Sequence, residues 1–514
     1  MKILSIFSKQ LKSDDVNRWL AFGIIALAVL VFYFPVLFYP PRSDQVIYLA
    51  QTAHQQHPLD LILGNYDYNR HRIFAPGDEL LFRPLVFMFL GGEQVLFGHH
   101  FWAWQLVGLI AHLTLVWVLL RLLWHLSSPW LAFAGTWIFA LSAVNYELVS
   151  WTHISSYMLM MACIVCVIEQ TVFCFEDAQV PWGRIKRILI YSLIACFTYE
   201  TANIFVLWVA GALIISFPKM KGRLALLVMP VILYGSLSYL NYVYLNPVTH
   251  YPPGMANGMP IRNYGLVIVY LTLWWLYEGL FNGMYQYVLA LRTMFPTDEV
   301  TVFKPLVLNN LQVILELIML SAFCGLAWIN RRQFFKRIRP AILLLGMLFS
   351  YVTVIVVGRN SEMGNLFEAV RINTYFTYIF WVLIAVIVFL FLSDKGKKTK
   401  LQQWLIMIFV MASIFSGLWQ GRQVHHMASR YSRDTNDNIL LVTTLDLLIQ
   451  EKKLEPNFSF YVDRTYPGNY SYGPTIHKET DPPDREYTFA ELLYPQYFRP
   501  KALAKYKFLV KKAK

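Results

Sequence analysis

Three acidic residues and three arginines, spread widely along the chain, each lie beside an apolar run. They are Asp44, Arg83, Glu147, Glu200, Arg359 and Arg371. A carboxylate can take the proton from an attacking hydroxyl group, and a guanidinium stabilises phosphate charge through paired hydrogen bonds. A cleft that holds both kinds of group suits the displacement of a phosphate leaving group.

Each of these residues also has a simpler interpretation. Asp44 follows a serine and precedes an apolar-periodic stretch, so it could cap a helix over 44–55. Arg83 could extend its head group to a membrane interface, and Glu147 could be a solvated loop carboxylate. The two later arginines could be ordinary loop charges. Residue type alone leaves both interpretations open, so the elements that position these side chains must be considered.

The composition predicts a membrane protein. Of 514 residues, 57% are hydrophobic and only 15% are charged, whereas about a quarter of the residues in a soluble domain are charged. The mean hydropathy is +0.45. These values exclude a disordered chain, a coiled coil and a small soluble enzyme, and they favour one polytopic, all-α membrane body.

The net charge of +13 does not indicate nucleic-acid binding, because the basic residues fall in short clusters between apolar runs. Such clusters mark cytoplasmic loops, and no polar segment combines a basic stripe with stacking aromatics. The clusters lie at 184–187, 219–223, 331–339 and 395–400. The five cysteines lie in or beside apolar runs and are interpreted as packing residues.

Counting apolar runs against these clusters gives about eleven spans, within a range of about ten to thirteen. The segment 263–291 is interpreted as re-entrant or interfacial. We predict three regions: an N-terminal transmembrane module (1–217), a second transmembrane module (218–420) and a small extracytoplasmic α/β appendage (421–514). The six charged residues named first then all fall on the outer face.

Two segments of the predicted topology could build a cleft on that face. The first outer loop, 42–101, is long and contains amphipathic stretches that could lie along the membrane surface. Residues 185–217 provide two helices that are each shorter than a bilayer, with Tyr199 and Glu200 at their turn. A carboxylate recessed there needs a watery cavity or a partner, so we expect Glu200 to orient an arginine or the acceptor.

Several short motifs follow one another from Asp44 to Glu200. They are Phe82-Arg83-Pro84-Leu85, Leu96-Phe97-Gly98, Leu109-Ile110-Ala111-His112, Phe139-Ala140, Glu147-Leu148-Val149-Ser150-Trp151 and Tyr199-Glu200. Their order resembles the N-terminal module of the GT-C superfamily of polyprenyl-phosphate-sugar-dependent glycosyltransferases. The similar groups are the protein O-mannosyltransferases, the aminoarabinose transferases and the transmembrane O-mannosyltransferases that carry tetratricopeptide repeats, although no repeats follow here and Tyr199 replaces a lysine. Residues 368–371 loosely resemble a later motif of the repeat-carrying group.

The resemblance implies an inverting transferase on a GT-C-like fold, with Asp44 as the general base and Glu147 as the next candidate. Arg83 or Arg371 would meet the lipid phosphate, with Arg359 as an alternate. It implies a polyprenyl-phosphate sugar as donor, an extracytoplasmic acceptor, membrane lipids around the chain and a bacterial inner-membrane location (the endoplasmic reticulum in a eukaryote). No cofactor is expected. No metal is expected either, because Gln45 follows Asp44 where a second acid would stand.

Two other classes remain as alternatives. An O-antigen ligase or polymerase is also polytopic, but it places its large outer loop late in the chain. A secondary transporter or lipid flippase is typically built from two similar halves with broken helices, and the two halves of this sequence show no such repeat.

Overall fold

The computed structural model describes the transmembrane body and parts of the C-terminal region. The described residues are 14–38, 82–97, 100–151, 154–177, 180–240, 265, 267–269, 272–273, 306–358, 374–392, 398–450, 460–463 and 508–511. Asp44, Arg359 and Arg371 lie outside them, as do most of 263–291 and the amphipathic stretch near residue 50. The predictions on those segments therefore remain predictions.

Helices dominate the first half of the described chain. They are α1 (Asp14–Tyr33, continued by a 3₁₀ turn Phe34–Phe38), α2 (Pro84–Phe97), α3 (Phe101–Leu126), α4 (Pro129–Leu141), α5 (Tyr146–Ser150, after a 3₁₀ turn Ala143–Asn145), α6 (Ser155–Glu176), α7 (Trp182–Thr198), α8 (Thr201–Ser216), α9 (Lys221–Leu224, between 3₁₀ turns Pro218–Met220 and Ala225–Val228) and α10 (Met229–Leu240).

Longer helices make up the second half. They are α11 (Leu306–Lys336), α12 (Ile338–Gly358), α13 (Thr374–Leu392) and α14 (Lys400–Gln450). Two short strands follow, β1 (Phe460–Asp463) and β2 (Phe508–Lys511), and they pair in parallel. Beyond this strand pair, the α/β appendage stays a prediction.

The chain is a membrane protein by the length and composition of its helices. Within the described residues, seven helices are long and apolar enough to cross a bilayer, and the bent pair α4–α5 could add an eighth. Helices α7 and α8 are shorter, with 17 and 16 residues, and only Tyr378–Leu390 of α13 is counted, as a shorter apolar helix. The count of eleven spans remains a prediction.

One apolar core joins the two predicted transmembrane modules. Its buried side chains run from Ala21 in α1 to Ala428 in α14. Helix α6 lies at the centre, against α3 and α7, while α14 packs against α1, α4 and α11. The last long helix therefore completes the packing of the first ones, across the boundary predicted at 217/218.

A break after α4 bends this helix against the segment 143–150 by 45°. Carbonyl groups freed by such a break must find partners, because a membrane interior supplies no water to bond them. His112 Nε2 lies 3.0 Å from the Ala140 carbonyl oxygen, the Tyr33 hydroxyl donates to the Ser142 carbonyl at 3.2 Å, and the Ala143 amide donates to Gln420 at 3.3 Å. The break is thus held by side chains from three other helices.

Helix α14 is longer than the sequence indicated. We expected the second transmembrane module to end at residue 420, but one helix of 51 residues, Lys400–Gln450, runs across that boundary. Its apolar part, Lys400–His426, is long enough to cross a membrane. A polar segment ends a span but need not end a helix, because the backbone hydrogen bonds continue regardless of the solvent around them.

Candidate functional site

Helices α7 and α8 place Tyr199 and Glu200 at one end of the bundle. They contain 17 and 16 residues, so at 1.5 Å per residue they rise only about 24–26 Å, less than the ~30 Å of a bilayer core. Tyr199 has extended backbone angles that stop α7, and Glu200 is the N-cap residue of α8. The turn lies where the sequence predicted it.

Arg83 and Glu200 form a two-pronged ion pair at this end. Arg83 Nε donates to Glu200 Oε2 at 2.8 Å, and Arg83 Nη2 donates to Glu200 Oε1 at 2.6 Å. Two parallel hydrogen bonds fix the plane of the guanidinium as well as its position. Both side chains remain partly exposed, by 22% and 35%. The pair therefore lies at a surface that a ligand can approach.

An aromatic ring supports the guanidinium from a second direction. The carbon at the centre of the Arg83 guanidinium lies 4.5 Å from the Tyr199 ring centroid, which is within the range of a cation–π interaction. Tyr199 is itself buried and meets Tyr157 of α6 edge to face, with centroids 4.7 Å apart. The Tyr157 hydroxyl lies 3.2 Å from that of Tyr351 in α12. The Tyr199–Glu200 turn thus contacts Arg83 directly, and α6 and α12 support that turn from behind.

The backbone before α2 is anchored by the neighbouring residue Phe82. Its buried ring lies 6.3 Å from Phe197 and 5.9 Å from Tyr234, centroid to centroid. Pro84 then begins α2, where its fixed φ suits the first helical position. Because Phe82 is packed and Pro84 is rigid, little backbone freedom is left at Arg83. We call Arg83, Tyr199 and Glu200 the Arg83 site, and its side of the bundle the Arg83 end.

The structure brings together two of the six predicted site residues. Arg83 and Glu200 are in direct contact, while Glu147 is placed in α5, which packs near α3, α6 and α13. Asp44, Arg359 and Arg371 lie outside the described residues. In the described ranges, no group of three or more His, Cys, Asp or Glu side chains could hold a metal ion. All five cysteines are free, and three of them are buried.

Sequence reasoning missed the buried acid Glu93 in α2. Its side chain is 4% exposed, and neither carboxylate oxygen has a hydrogen-bond partner among the described residues. Burial raises the pKa of the Glu93 carboxyl well above its usual range, which favours the neutral acid. An acid following Gly91 and Gly92 inside an apolar run was the available signal.

Ion pairs at the opposite end of the bundle were also missed. Arg121 of α3 donates from Nε to Glu169 of α6 at 2.7 Å. His125 Nε2 lies 2.6 Å from Glu176 Oε2, and Arg337 Nη2 donates to the other oxygen of Glu176 at 3.1 Å. A charged residue inside each of two predicted spans was the signal. We call this side of the bundle the Glu176 end.

Arg337 connects the second half of the chain to the Glu176 end. It lies between α11 and α12, and its Nη1 also donates to the Leu126 carbonyl at the end of α3, at 3.1 Å. Burial lowers the pKa of the Arg337 guanidinium, and the nearby Glu176 carboxylate opposes that shift. A guanidinium stays charged in either case, so this is a permanent link.

These features define a membrane protein with a partly exposed, ion-paired site at one end of its helix bundle. No family model matches the chain, and no curated protein matches it. Among solved structures, the chain is similar to the apo form of the oligosaccharyltransferase from Archaeoglobus fulgidus, with 12% sequence identity and a TM-score of 0.47. The alignment covers 96% of this chain and 64% of that one, so the chain spans less than two thirds of that protein's length.

Proposed function

We propose that this protein is a membrane glycosyltransferase that moves a sugar from a polyprenyl-phosphate donor to an extracytoplasmic acceptor. The observation that carries the proposal is the Arg83–Glu200 pair. The two residues belong to separate motifs of the resemblance, 117 positions apart, and they meet at a partly exposed end of the bundle. Their direct contact at an accessible position supports a shared role for the two motifs.

Arg83 would recognise the donor phosphate in this proposal. Two of its N–H groups are given to Glu200, and a phosphate would approach the exposed part of the guanidinium. A guanidinium fixed in advance loses little conformational entropy when a phosphate binds, and it needs no reorganisation when charge develops on the leaving group. Glu200 is then a positioning residue, as its recessed turn suggested.

Asp44 would act as the general base. As the acceptor O–H bond breaks, its proton passes to the Asp44 carboxylate and the oxygen forms a bond to the anomeric carbon. The bond from that carbon to the phosphate oxygen breaks on the opposite side, so the configuration inverts and polyprenyl phosphate leaves with its negative charge. General-base assistance of this kind contributes roughly 10²–10⁴-fold to the rate.

The deciding experiment offers radiolabelled polyprenyl-phosphate sugars to membranes that contain the protein, and follows which component becomes labelled. We expect transfer by the wild type and a loss of roughly 10²–10⁴-fold in Asp44→Asn. Asparagine keeps the shape of the side chain and a capping hydrogen bond but cannot take a proton, which separates a base from a helix cap. Arg339→Lys, an exposed site at the Glu176 end, serves as the matched control for expression and insertion.

Three results would contradict the proposal in different ways. Full transfer by Asp44→Asn would move the base elsewhere, with Glu147 tested next. Transfer of a preassembled glycan block, without use of the single-sugar donor, would favour the O-antigen ligase or polymerase class. Movement of a lipid-linked sugar across the membrane with no new covalent product would favour a transporter or flippase.

A further inference from the structure

Five exposed cations lie close together at the Glu176 end. Lys186 and Arg187 are in the first turns of α7, and three more follow α8: Lys219, Lys221 and Arg223. Helices α7 and α8 pack against each other on either side of the turn at Tyr199–Glu200, so the start of one and the end of the other fall on the same side. We call these five residues the basic patch.

The described acids near the basic patch are engaged elsewhere. From 182 to 240 the sequence has one acid, Glu200, and it lies at the Arg83 end in its pair with Arg83. Nearby Asp177 is paired with Arg184, and Glu176 with Arg337. Within the described part of the chain, none of the five patch cations takes part in an ion pair. Among the described residues, the patch therefore presents five exposed cations to an anionic ligand.

The surface next to the patch is apolar and open. On α7, Ile190 and Ile194 follow Lys186 at intervals of four residues and so share its face of the helix. They are 58% and 40% exposed, and Ile215 near the end of α8 is 81% exposed. In the span Pro218–Leu240, only 17% of the most apolar stretch is buried inside the protein, whereas 78% is buried in the span Ser155–Glu176. A ligand at this position would therefore contact cations at the end of the bundle and apolar side chains further along the helices.

Trp182 marks the level of the membrane interface. It is exposed, and Lys186 Nζ lies 5.9 Å from its ring centroid. Tryptophan collects at the depth of lipid head groups, and basic clusters beside spans attract anionic lipids. We propose that the basic patch binds an anionic phospholipid, with its phosphate among the five cations and its acyl chains along the exposed faces of α7 and α8. This inference is independent of the proposed transferase activity.

The test uses the full-length protein purified in a neutral detergent. Native mass spectrometry counts bound lipid during titration with phosphatidylglycerol or with phosphatidylcholine, and thermal unfolding is measured in parallel. We expect the anionic lipid to bind more tightly and to raise the unfolding midpoint more. Each cation contributes about fivefold to affinity, by the ~1 kcal/mol typical of a lysine or arginine at an anionic surface.

Two neutralised variants and one control locate the site. Lys186→Gln/Arg187→Gln should lose roughly 25-fold in affinity and Lys219→Gln/Lys221→Gln/Arg223→Gln roughly 100-fold. Arg339→Gln/Lys400→Gln removes two exposed cations elsewhere at the same end and should bind as the wild type does. All four proteins are first compared by midpoint without lipid, so that a folding defect is seen directly.

Several outcomes would overturn the inference. Equal binding of the two lipids would show that charge is not recognised. Unchanged affinity in both patch variants, or an equal loss in the control, would place the lipid elsewhere. Reproduction of the full stabilisation by inorganic phosphate alone would show a site for a free anion, and co-purification of an acidic protein that phosphatidylglycerol does not displace would show a protein partner.

Discussion

The two ends of the helix bundle use the same paired contact in different surroundings. Arg83 binds Glu200 with a fork of hydrogen bonds, and Arg121 binds Glu169 in the same way. The Glu169 carboxylate is 4% exposed, whereas that of Glu200 is 35% exposed. The buried pair joins α3 to α6 as a structural contact, while the exposed pair leaves part of both side chains accessible from outside the bundle. The exposure of the acid, more than the geometry of the pair, separates the two roles.

The largest expected effect on stability is at the Glu176 end. Glu169→Gln leaves Arg121 without its counter-charge in a partly buried position, and we expect a loss of roughly 3 kcal/mol, at the lower end for breaking a buried pair because Arg121 is one-third exposed. Glu200→Gln should cost under about 1 kcal/mol, as exposed pairs do. Urea unfolding in detergent micelles measures both. Equal losses would remove the distinction between the two ends.

The next effect is on activity at the Arg83 end. Arg83→Lys keeps the charge but loses the fork, so transfer should fall by about 10- to 100-fold, as expected for a charged hydrogen bond of about 1.5–3 kcal/mol. Arg121→Lys is the matched control and should leave transfer per folded molecule unchanged. Initial rates with labelled donor, normalised to folded protein, measure both variants. Loss of activity in Arg121→Lys, with Arg83→Lys unaffected, would place the active site at the Glu176 end instead.

A smaller effect should separate the ring of Tyr199 from its hydroxyl group. Tyr199→Phe keeps the surface beneath the Arg83 guanidinium, so transfer should change by less than about twofold. Tyr199→Leu removes the ring, which is worth about 0.5–1 kcal/mol in such a contact, so transfer should fall two- to fivefold. A rise in KM for the donor with kcat little changed would indicate lost phosphate binding. Equal behaviour of both variants would exclude a role for the ring.

The smallest perturbation is a topology measurement with single cysteines placed in a cysteine-free background. Positions in 42–81 should react with a membrane-impermeant reagent from outside, and positions in 331–339 only from the cytoplasm. The tail 421–514 should label from outside. Labelling of that tail from the cytoplasm instead would contradict the predicted topology, including the interpretation of 263–291 as re-entrant or interfacial.

Local features were predictable from sequence, whereas contacts between distant segments were not. The Tyr199–Glu200 turn could be predicted, because two short apolar runs on either side of a polar pair leave little choice. Glu200 was expected to orient an arginine or the acceptor, but the sequence did not show which of Arg83, Arg359 and Arg371 it would contact. The Arg121–Glu169 pair was not predicted, because each residue is a single charge within an apolar span and the sequence does not identify its partner. Which face each charge occupies depends on how α3 packs on α6.

The long reach of α14 back to the first helices sets an order of assembly during synthesis. Helix α1 and the break after α4 complete their packing only against α14, where Gln420 accepts from the Ala143 amide. At about 5–20 residues per second, the ribosome needs roughly 20–80 s to travel from the first span to that glutamine. During that interval, the surfaces of α1 and α4 that α14 later covers lack this partner. Truncation before α14 should therefore yield a chain that inserts but is degraded, because α1 and α4 then lack the helix that packs against them.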